Sequence, residues 1–455
     1  MSVGLRCAGC GWTTAGTAGP DRAGPDRAGP DRTGPWACPA ARAGDGVDHV
    51  LVAVRDLGGL ELASAGSDNP FVRYRHLLAS YQRWVARGGS DGGFVELVEQ
   101  LDAAVAAVDG RGFRITPCAP VELAGFGRVW CKDETGNVAG SHKGRHLMGL
   151  MLHLLVAGRA GRRGGTDLPV PLAIASCGNA ALAAAIIARA ARHRLLVFVP
   201  TSASPDVLGR LAELGATVQV CGRDGRPGDP AYRAFRDAVV AGAVPFSCQG
   251  PDNGLTIDGG ATLGWELAAQ LRTASAPPSR LFVQVGGGAL ASAVVQGLGD
   301  GVRLGALRGP PALFAVQTEG GHPLARAWRL LHERVAAGHG PEEAMAHAVA
   351  HRDDYMWPWE AEPASVAHGI LDDETYDWAA VCRAMLAWGG RPVVVDEDQL
   401  RRANREVRDA TGIPVDHTGS AGLAGILVEG ATGGGVEAGA TVAILTGREQ
   451  GPAPR

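Results

Sequence analysis

Lysine is almost absent from this 455-residue chain: of 43 basic residues two are lysine, Lys132 and Lys143, and the rest are arginine. Arginine serves wherever only a positive charge is needed. Its guanidinium stays protonated and forms no Schiff base, so a surviving lysine draws attention as a candidate reactive amine. Long apolar runs are missing too. The best stretch, Leu147 to Ala157, is short and carries His153, which excludes a membrane-spanning helix of the usual length. The opening Met-Ser-Val-Gly-Leu-Arg-Cys has no apolar run of the signal-peptide kind. Charge of one sign is not in excess, the net being −4, which leaves no field to attract nucleic acid or an anionic membrane. Nine scattered cysteines are an odd number and no disulfide framework, and they fit a reducing cytoplasm.

What is present describes a soluble globular protein with two or three domains' worth of chain, 46% of it hydrophobic. The first 45 residues differ from the rest. Ala18 to Arg32 is Ala-Gly-Pro-Asp-Arg written three times, a low-complexity insert expected to be a disordered loop. It separates Cys7-Ala-Gly-Cys10 from Cys38. One Cys-x-x-Cys knuckle plus a later cysteine resembles a damaged zinc ribbon. The second knuckle reads Cys38-Pro-Ala-Ala and offers no fourth ligand, so a folded-down remnant is expected rather than a metal site.

From about residue 115 short β-branched runs alternate with helical ones. Strands are expected at Val170–Ala175, Leu195–Val199, Thr217–Val220, Leu281–Val285, Leu313–Val316, Pro392–Val395 and Thr441–Leu445. Helices are expected from Asn179 to about Ala191, over Val207–Leu214 and over Glu397–Ala410. This alternation implies parallel sheets covered on both faces. A loop-rich stretch near 250–280 divides the series into two three-layer α/β domains with a cleft between them.

Four segments fall where a strand meets a turn or helix, the place where open α/β sheets bind ligands. The first runs from Lys132 to Arg145. Lys143 opens a helix reaching to about Val156, where the dipole disfavours an ammonium, whereas Lys132, beside Asp133 and Glu134, reads as an ion-paired surface lysine. The second is Ser176-Cys177-Gly178-Asn179-Ala180 at a helix start, suited to a carboxylate or phosphate and explained as well by an ordinary helix cap. Cys177 has no assignable His/Asp partner and reads as a small packed residue. The third, Gly286-Gly287-Gly288-Ala289-Leu290-Ala291, fits the dinucleotide pattern Gly-x-Gly-x-x-Ala, with Glu319 after the next strand, and fits equally any phosphate cradle of bare amides. The fourth pairs Thr418-Gly419-Ser420-Ala421-Gly422 with Thr446-Gly447-Arg448, which places the Thr446 hydroxyl at the end of an apolar strand.

In that order, Asn137-x-x-Gly140-Ser141-His142-Lys143, Ser176-x-Gly178-Asn179, the triple glycine and the strand ending in Thr446-Gly447 resemble the tryptophan synthase β-like family. These are the fold type II pyridoxal 5′-phosphate (PLP) enzymes: threonine synthase, threonine and serine ammonia-lyases, cysteine synthase. The resemblance covers roughly residues 110–450, and the N-terminal cysteines resemble the ribbon that precedes some threonine synthases. This chain departs from the family in reading Ser-His-Lys-Gly-Arg where Ser-Phe-Lys-Asp/Asn-Arg is common. It also has three glycines and Ala289 where ammonia-lyases have four glycines.

The resemblance implies that Lys143 forms the Schiff base with PLP and shuttles the substrate Cα proton. It gives Asn179 the ring hydroxyl, Gly286, Gly287, Gly288 and Ala289 the 5′-phosphate, and Thr446 the pyridine nitrogen. Ser176, Gly178 and Ser141 take the substrate, while His142 is a packing or phosphate neighbour or a proton carrier. A hydroxyl facing the ring nitrogen makes a weaker electron sink than a carboxylate, which suits elimination or replacement at Cβ. The expected division is 1–48 for the cysteine segment, 49–130 for a helical lead-in joining the larger domain, 131–250 for the smaller domain with Lys143, and 251–455 for the larger domain with the glycine loop. The expected activity is that of a PLP-dependent lyase, closest to threonine/serine ammonia-lyase, with threonine synthase or cysteine synthase-like replacement next and a nicotinamide-dependent oxidoreductase a distant alternative. A small amino-acid substrate, a homodimer, a cytoplasmic setting, and neither nucleic-acid nor membrane partners complete the expectation.

Overall fold

The computed structural model describes residues 4–14, 36–42, 44–159, 170–226, 228–430 and 439–449. The Ala18–Arg32 repeats lie outside the described residues. The chain forms two compact units that interleave along the sequence: the first takes 1–60, 74–112 and 143–259, the second 61–73, 113–142 and 260–455. Consecutive domains were expected, with 49–130 joining the larger one. Instead, residues 74–112 group with the unit that carries Lys143, and 113–142 with the unit that carries the glycine loop.

In chain order the strands are β1 (Gly4–Cys7), β2 (Leu51–Val54), β3 (Cys118–Leu123), β4 (Gly127–Asp133), β5 (Leu172–Ala175) and β6 (Leu195–Pro200). They continue with β7 (Thr217–Cys221), β8 (Val244–Pro245), β9 (Pro278–Gln284), β10 (Ala312–Thr318), β11 (Gly390–Val395) and β12 (Ala440–Leu445). The first unit holds the two-stranded sheet β1-β2 and a four-stranded sheet in the order β7-β6-β5-β8, whose neighbours are all parallel. The second unit holds a six-stranded sheet in the order β11-β10-β9-β12-β4-β3, parallel throughout except for the edge pair β3-β4.

The strands run parallel because their side chains are apolar on both faces. Leu281, Phe282 and Val283 of β9 and Val442, Ala443, Ile444 and Leu445 of β12 are all buried, which requires helices above and below. Helices Glu397–Thr411 and His417–Glu429 supply one cover, packing Leu400, Ala403, Val407, Leu423 and Ile426 into the same core as Phe282 and Phe314. In the first unit Asn179–Ala190 buries an almost unbroken alanine and isoleucine face.

The stretch near 250–280 is not loop-rich. It contains the helix Thr256–Thr273, masked in the sequence by Gly259, Gly260 and Gly264. Close packing explains two of them: a β-carbon on Gly259 would fall 2.3 Å from the Arg145 carbonyl oxygen, and one on Gly264 2.6 Å from the Val294 carbonyl oxygen and 2.8 Å from the Gly297 Cα. Those contacts favour glycine despite its low helix propensity.

Candidate active site

In the second unit, β9 and β12 are parallel neighbours, so their C-terminal ends lie side by side. After β9 come Val285 and the glycine loop; after β12 comes Thr446. Gln284, the last residue of β9, joins the two ends. Its Nε2 donates to Thr446 Oγ1 at 2.6 Å and to the Gly419 carbonyl at 3.1 Å. Gly419 is held there from both sides, since its carbonyl also accepts from the Thr446 amide at 3.0 Å. A β-carbon on Gly419 would fall 1.7 Å from the Thr446 carbonyl oxygen. The two threonine-glycine segments singled out in the sequence therefore meet. Thr446 is 2% exposed, and with its oxygen accepting from Gln284 its hydroxyl proton is directed elsewhere.

The glycine loop heads the helix Ala289–Arg303, with Gly288 at φ 91° as its N-cap and no side chain capping it. The amides of the first turn thus point out of the helix, the arrangement that receives phosphate. Local packing also demands glycine here. A β-carbon on Gly286 would lie 2.8 Å from Ile370 Cα, and one on Gly288 3.0 Å from the Thr375 methyl. The Asp377 amide donates to the Gly287 carbonyl at 2.8 Å.

The Lys132–Arg145 segment leaves the same end of this sheet. The Glu134 amide donates to the Leu445 carbonyl at 2.8 Å, and the Arg448 amide donates to the Gly140 carbonyl at 2.8 Å. Ala139 and Gly140 both take positive φ, 57° and 66°, a tight reversal that comes without strain at Gly140 and at a cost at Ala139. Ser141 and His142 follow, both buried. Three residues beyond Gly140, Lys143 is the first residue of the helix Lys143–Arg159 and is half-buried.

Lys132 is not the surface lysine expected. It is 0% exposed, and its Nζ donates to Glu266 Oε2 at 2.6 Å, the Thr116 carbonyl at 2.7 Å and Gln270 Oε1 at 3.0 Å. Its partner is thus Glu266, a full turn from Gln270 on the helix Thr256–Thr273, and not the adjacent Asp133 or Glu134. Glu134 is buried beside it, accepting from Thr116 Oγ1 at 2.5 Å and from Asn137 Nδ2 at 2.8 Å.

In the first unit, β5 ends in Ser176-Cys177-Gly178 and the helix Asn179–Ala190 follows. Neither Ser176 nor Asn179 caps that helix, as the ordinary reading of the turn would have it. Gly178 is the N-cap, and no side chain bonds to the leading amides. Ser176 Oγ instead accepts from the Gly178 amide at 3.4 Å. Cys177 is exposed rather than packed.

At the N-terminus the fourth metal-ligand type that the sequence did not offer is His49: Cys7, Cys10, Cys38 and His49 bring their ligand atoms within 4.8 Å of one another. Sequence reasoning also missed Gln284. The signal was a lone polar residue closing the apolar run Leu281-Phe282-Val283.

Parallel α/β units that present uncapped helix starts and a hydroxyl at the ends of buried strands have the arrangement that receives a phosphorylated ligand. Residues 111–447 match the family model described as "Pyridoxal-phosphate dependent enzyme". The chain belongs to that family, its fold is type II, and its cofactor is PLP. The nicotinamide alternative is thereby retired, and Glu319, which it required, is exposed.

Among relatives, the chain is 33% identical over 215 residues to a rat (Rattus norvegicus) serine dehydratase-like protein, covering 46% of this chain and 58% of the relative. It is 37% identical over 154 residues to the human (Homo sapiens) serine dehydratase-like protein, covering 33% and 42%. The chain thus spans about half the length of these curated relatives. The solved structure of a T.th. threonine deaminase superposes with a TM-score of 0.55 at 21% identity, covering 78% of this chain and 99% of that one. That likeness is one of fold.

The residues present fit PLP. An amine stands at a helix start, and bare amides head two helices. The Thr446 hydroxyl, already accepting from Gln284, can donate to an unprotonated ring nitrogen. Among the described residues no helix is long and apolar enough to cross a membrane.

Proposed function

We propose that this enzyme is an ammonia-lyase acting on a small L-hydroxy amino acid, serine or threonine, and releasing a 2-oxo acid and ammonia. The observation that carries the reading is the neutral Gln284–Thr446 pair at the end of β9 and β12, in which a hydroxyl and not a carboxylate would face the ring nitrogen. PLP withdraws electrons from the substrate Cα when bound. A neutral partner at its nitrogen limits that withdrawal and favours departure of the β-hydroxyl.

In this reading Lys143 holds the cofactor and then carries the Cα proton on its Nζ. Asn179 holds the ring hydroxyl, and the amides of Gly286, Gly287, Gly288 and Ala289 hold the phosphate. Ser176, Gly178 and Ser141 bind the substrate carboxylate. The serine dehydratase-like relatives and the threonine deaminase fold support the choice of substrate class. A homodimer and a cytoplasmic setting belong to the same proposal.

The test is a substrate comparison. Release of 2-oxo acid from L-serine or L-threonine alone, with none from O-phosphohomoserine, supports the lyase. Phosphate release from O-phosphohomoserine with no 2-oxo acid from either hydroxy amino acid makes the enzyme a synthase and overturns it.

A further inference from the structure

We propose that Cys7, Cys10, Cys38 and His49 form a structural zinc site. Cys7 closes β1, which pairs antiparallel with β2, and two residues before β2 stands His49. Cys7 Sγ lies 3.5 Å from His49 Nδ1, and Cys10 Sγ lies 3.6 Å from Cys38 Sγ. A tetrahedron with Zn–S of about 2.3 Å and Zn–N of about 2.0 Å has edges of roughly 3.5–3.8 Å. These two separations match such edges, and all four ligand atoms lie within 4.8 Å of one another. They are also far too long for the Cys10–Cys38 disulfide that is the alternative, whose S–S bond would be about 2.05 Å.

The surroundings are built for a metal. The Cys10 amide donates to Cys7 Sγ at 3.5 Å, a bond that stabilises a ligating thiolate. The turn between the two cysteines is tight: a β-carbon on Gly9 would fall 2.2 Å from the Asp48 carbonyl oxygen, and Gly11 sits at φ 76°. His49 Nε2 lies 3.0 Å from Asp45 Oδ2. The carboxylate takes the proton-bearing nitrogen and leaves the Nδ1 lone pair facing the sulfurs, the usual support of a metal-bound histidine. Asp45 is in turn fixed by the Arg42 amide at 2.8 Å and the Val47 amide at 3.1 Å.

The segment also needs such a tie. Among the described residues its own core is Cys7, Cys38 and Leu51, with Leu5, Trp12, Ala40 and Ala41 packed around it, too little apolar surface to order them alone. Three thiolates and an imidazole select zinc over oxygen-seeking metals. Cys10 is exposed and leaves an entry path. A metal here joins the residues on either side of 15–35 to β2. The site stands independently of the proposed reaction.

The test is metal analysis of the full-length protein from zinc-replete culture. The expectation is one zinc per chain, lost at least tenfold in Cys10→Ser and His49→Gln. Cobalt exchanged into the unmutated protein should give the intense visible bands of a tetrahedral thiolate complex, a readout that survives if either variant fails to fold. A metal-free wild-type protein with a Cys10–Cys38 disulfide overturns the proposal. So does zinc retained in full by both variants.

Discussion

Lys132 and Lys143 stand eleven residues apart in a chain that otherwise uses arginine, and their surroundings have almost nothing in common. Lys132 lies inside a sheet, on a strand paired on both sides, with three acceptors for its three N–H groups. Lys143 opens a helix and is half-buried. The first site needs the compact ammonium itself, because a planar guanidinium would not direct three donors into that pocket. The second offers an amine on the first residue of the helix that follows β4 in the chain. Rarity alone pointed at both residues. Burial gives Lys132 a structural role, and for Lys143 we propose the chemistry.

Breaking the contrast at Lys143 has the largest expected effect. Lys143→Ala should lower turnover about a thousandfold or more and leave the protein colourless. Because Lys143 is only half-buried, the denaturation midpoint should stay close to that of the wild type, read by urea titration followed by circular dichroism.

Lys132→Met should do the reverse. It strands Glu266 in the core and should cost about 3–5 kcal/mol of stability. The protein that still folds should bind PLP and turn yellow. Lys132→Arg should cost about 1–3 kcal/mol through overpacking, measured in the same titration. Equal behaviour of the two lysine variants in either assay would erase the distinction.

A smaller effect sharpens what a balanced buried charge means. Asp416 caps the helix His417–Glu429 through the Gly419 amide at 2.5 Å, under the Thr446–Gly447 turn. Burial pushes its carboxyl up to about 6, against a smaller downward pull from that amide. A raised carboxyl binds its proton more tightly in the folded state. Its contribution is therefore fully present below the ordinary carboxylate range and is lost as pH rises through about 6. Asp416→Asn keeps a capping oxygen and no charge. It should gain about 1–3 kcal/mol on the wild type between pH 4 and pH 8, checked by denaturation at the two pH values.

Much of this was legible in the sequence. The parallel strands announced themselves because strands buried on both faces read as continuous apolar runs, and Leu281–Val285 and Thr441–Leu445 differ from β9 and β12 only at their ends. The helix Asn179–Ala190 was equally plain. What the sequence hid was long-range pairing. Lys132 sits next to Asp133 and Glu134, yet its partner is Glu266, and no local pattern carries that. The helix Thr256–Thr273 was hidden by glycines whose reason lies in another helix. His49 was hidden by being a single histidine far from the knuckle it faces. Gln284 was visible as a polar end to an apolar strand, but its contact with Thr446 depends on β9 and β12 being neighbours.

The central claim is that Lys143 is the residue that holds PLP. A chain with only two lysines makes the test direct: reduce the yellow protein with borohydride, digest it, and locate the phosphopyridoxyl group by mass spectrometry. The label is expected on the peptide containing Lys143, with Lys132 unmodified. A label on Lys132, or none on either, would contradict the account.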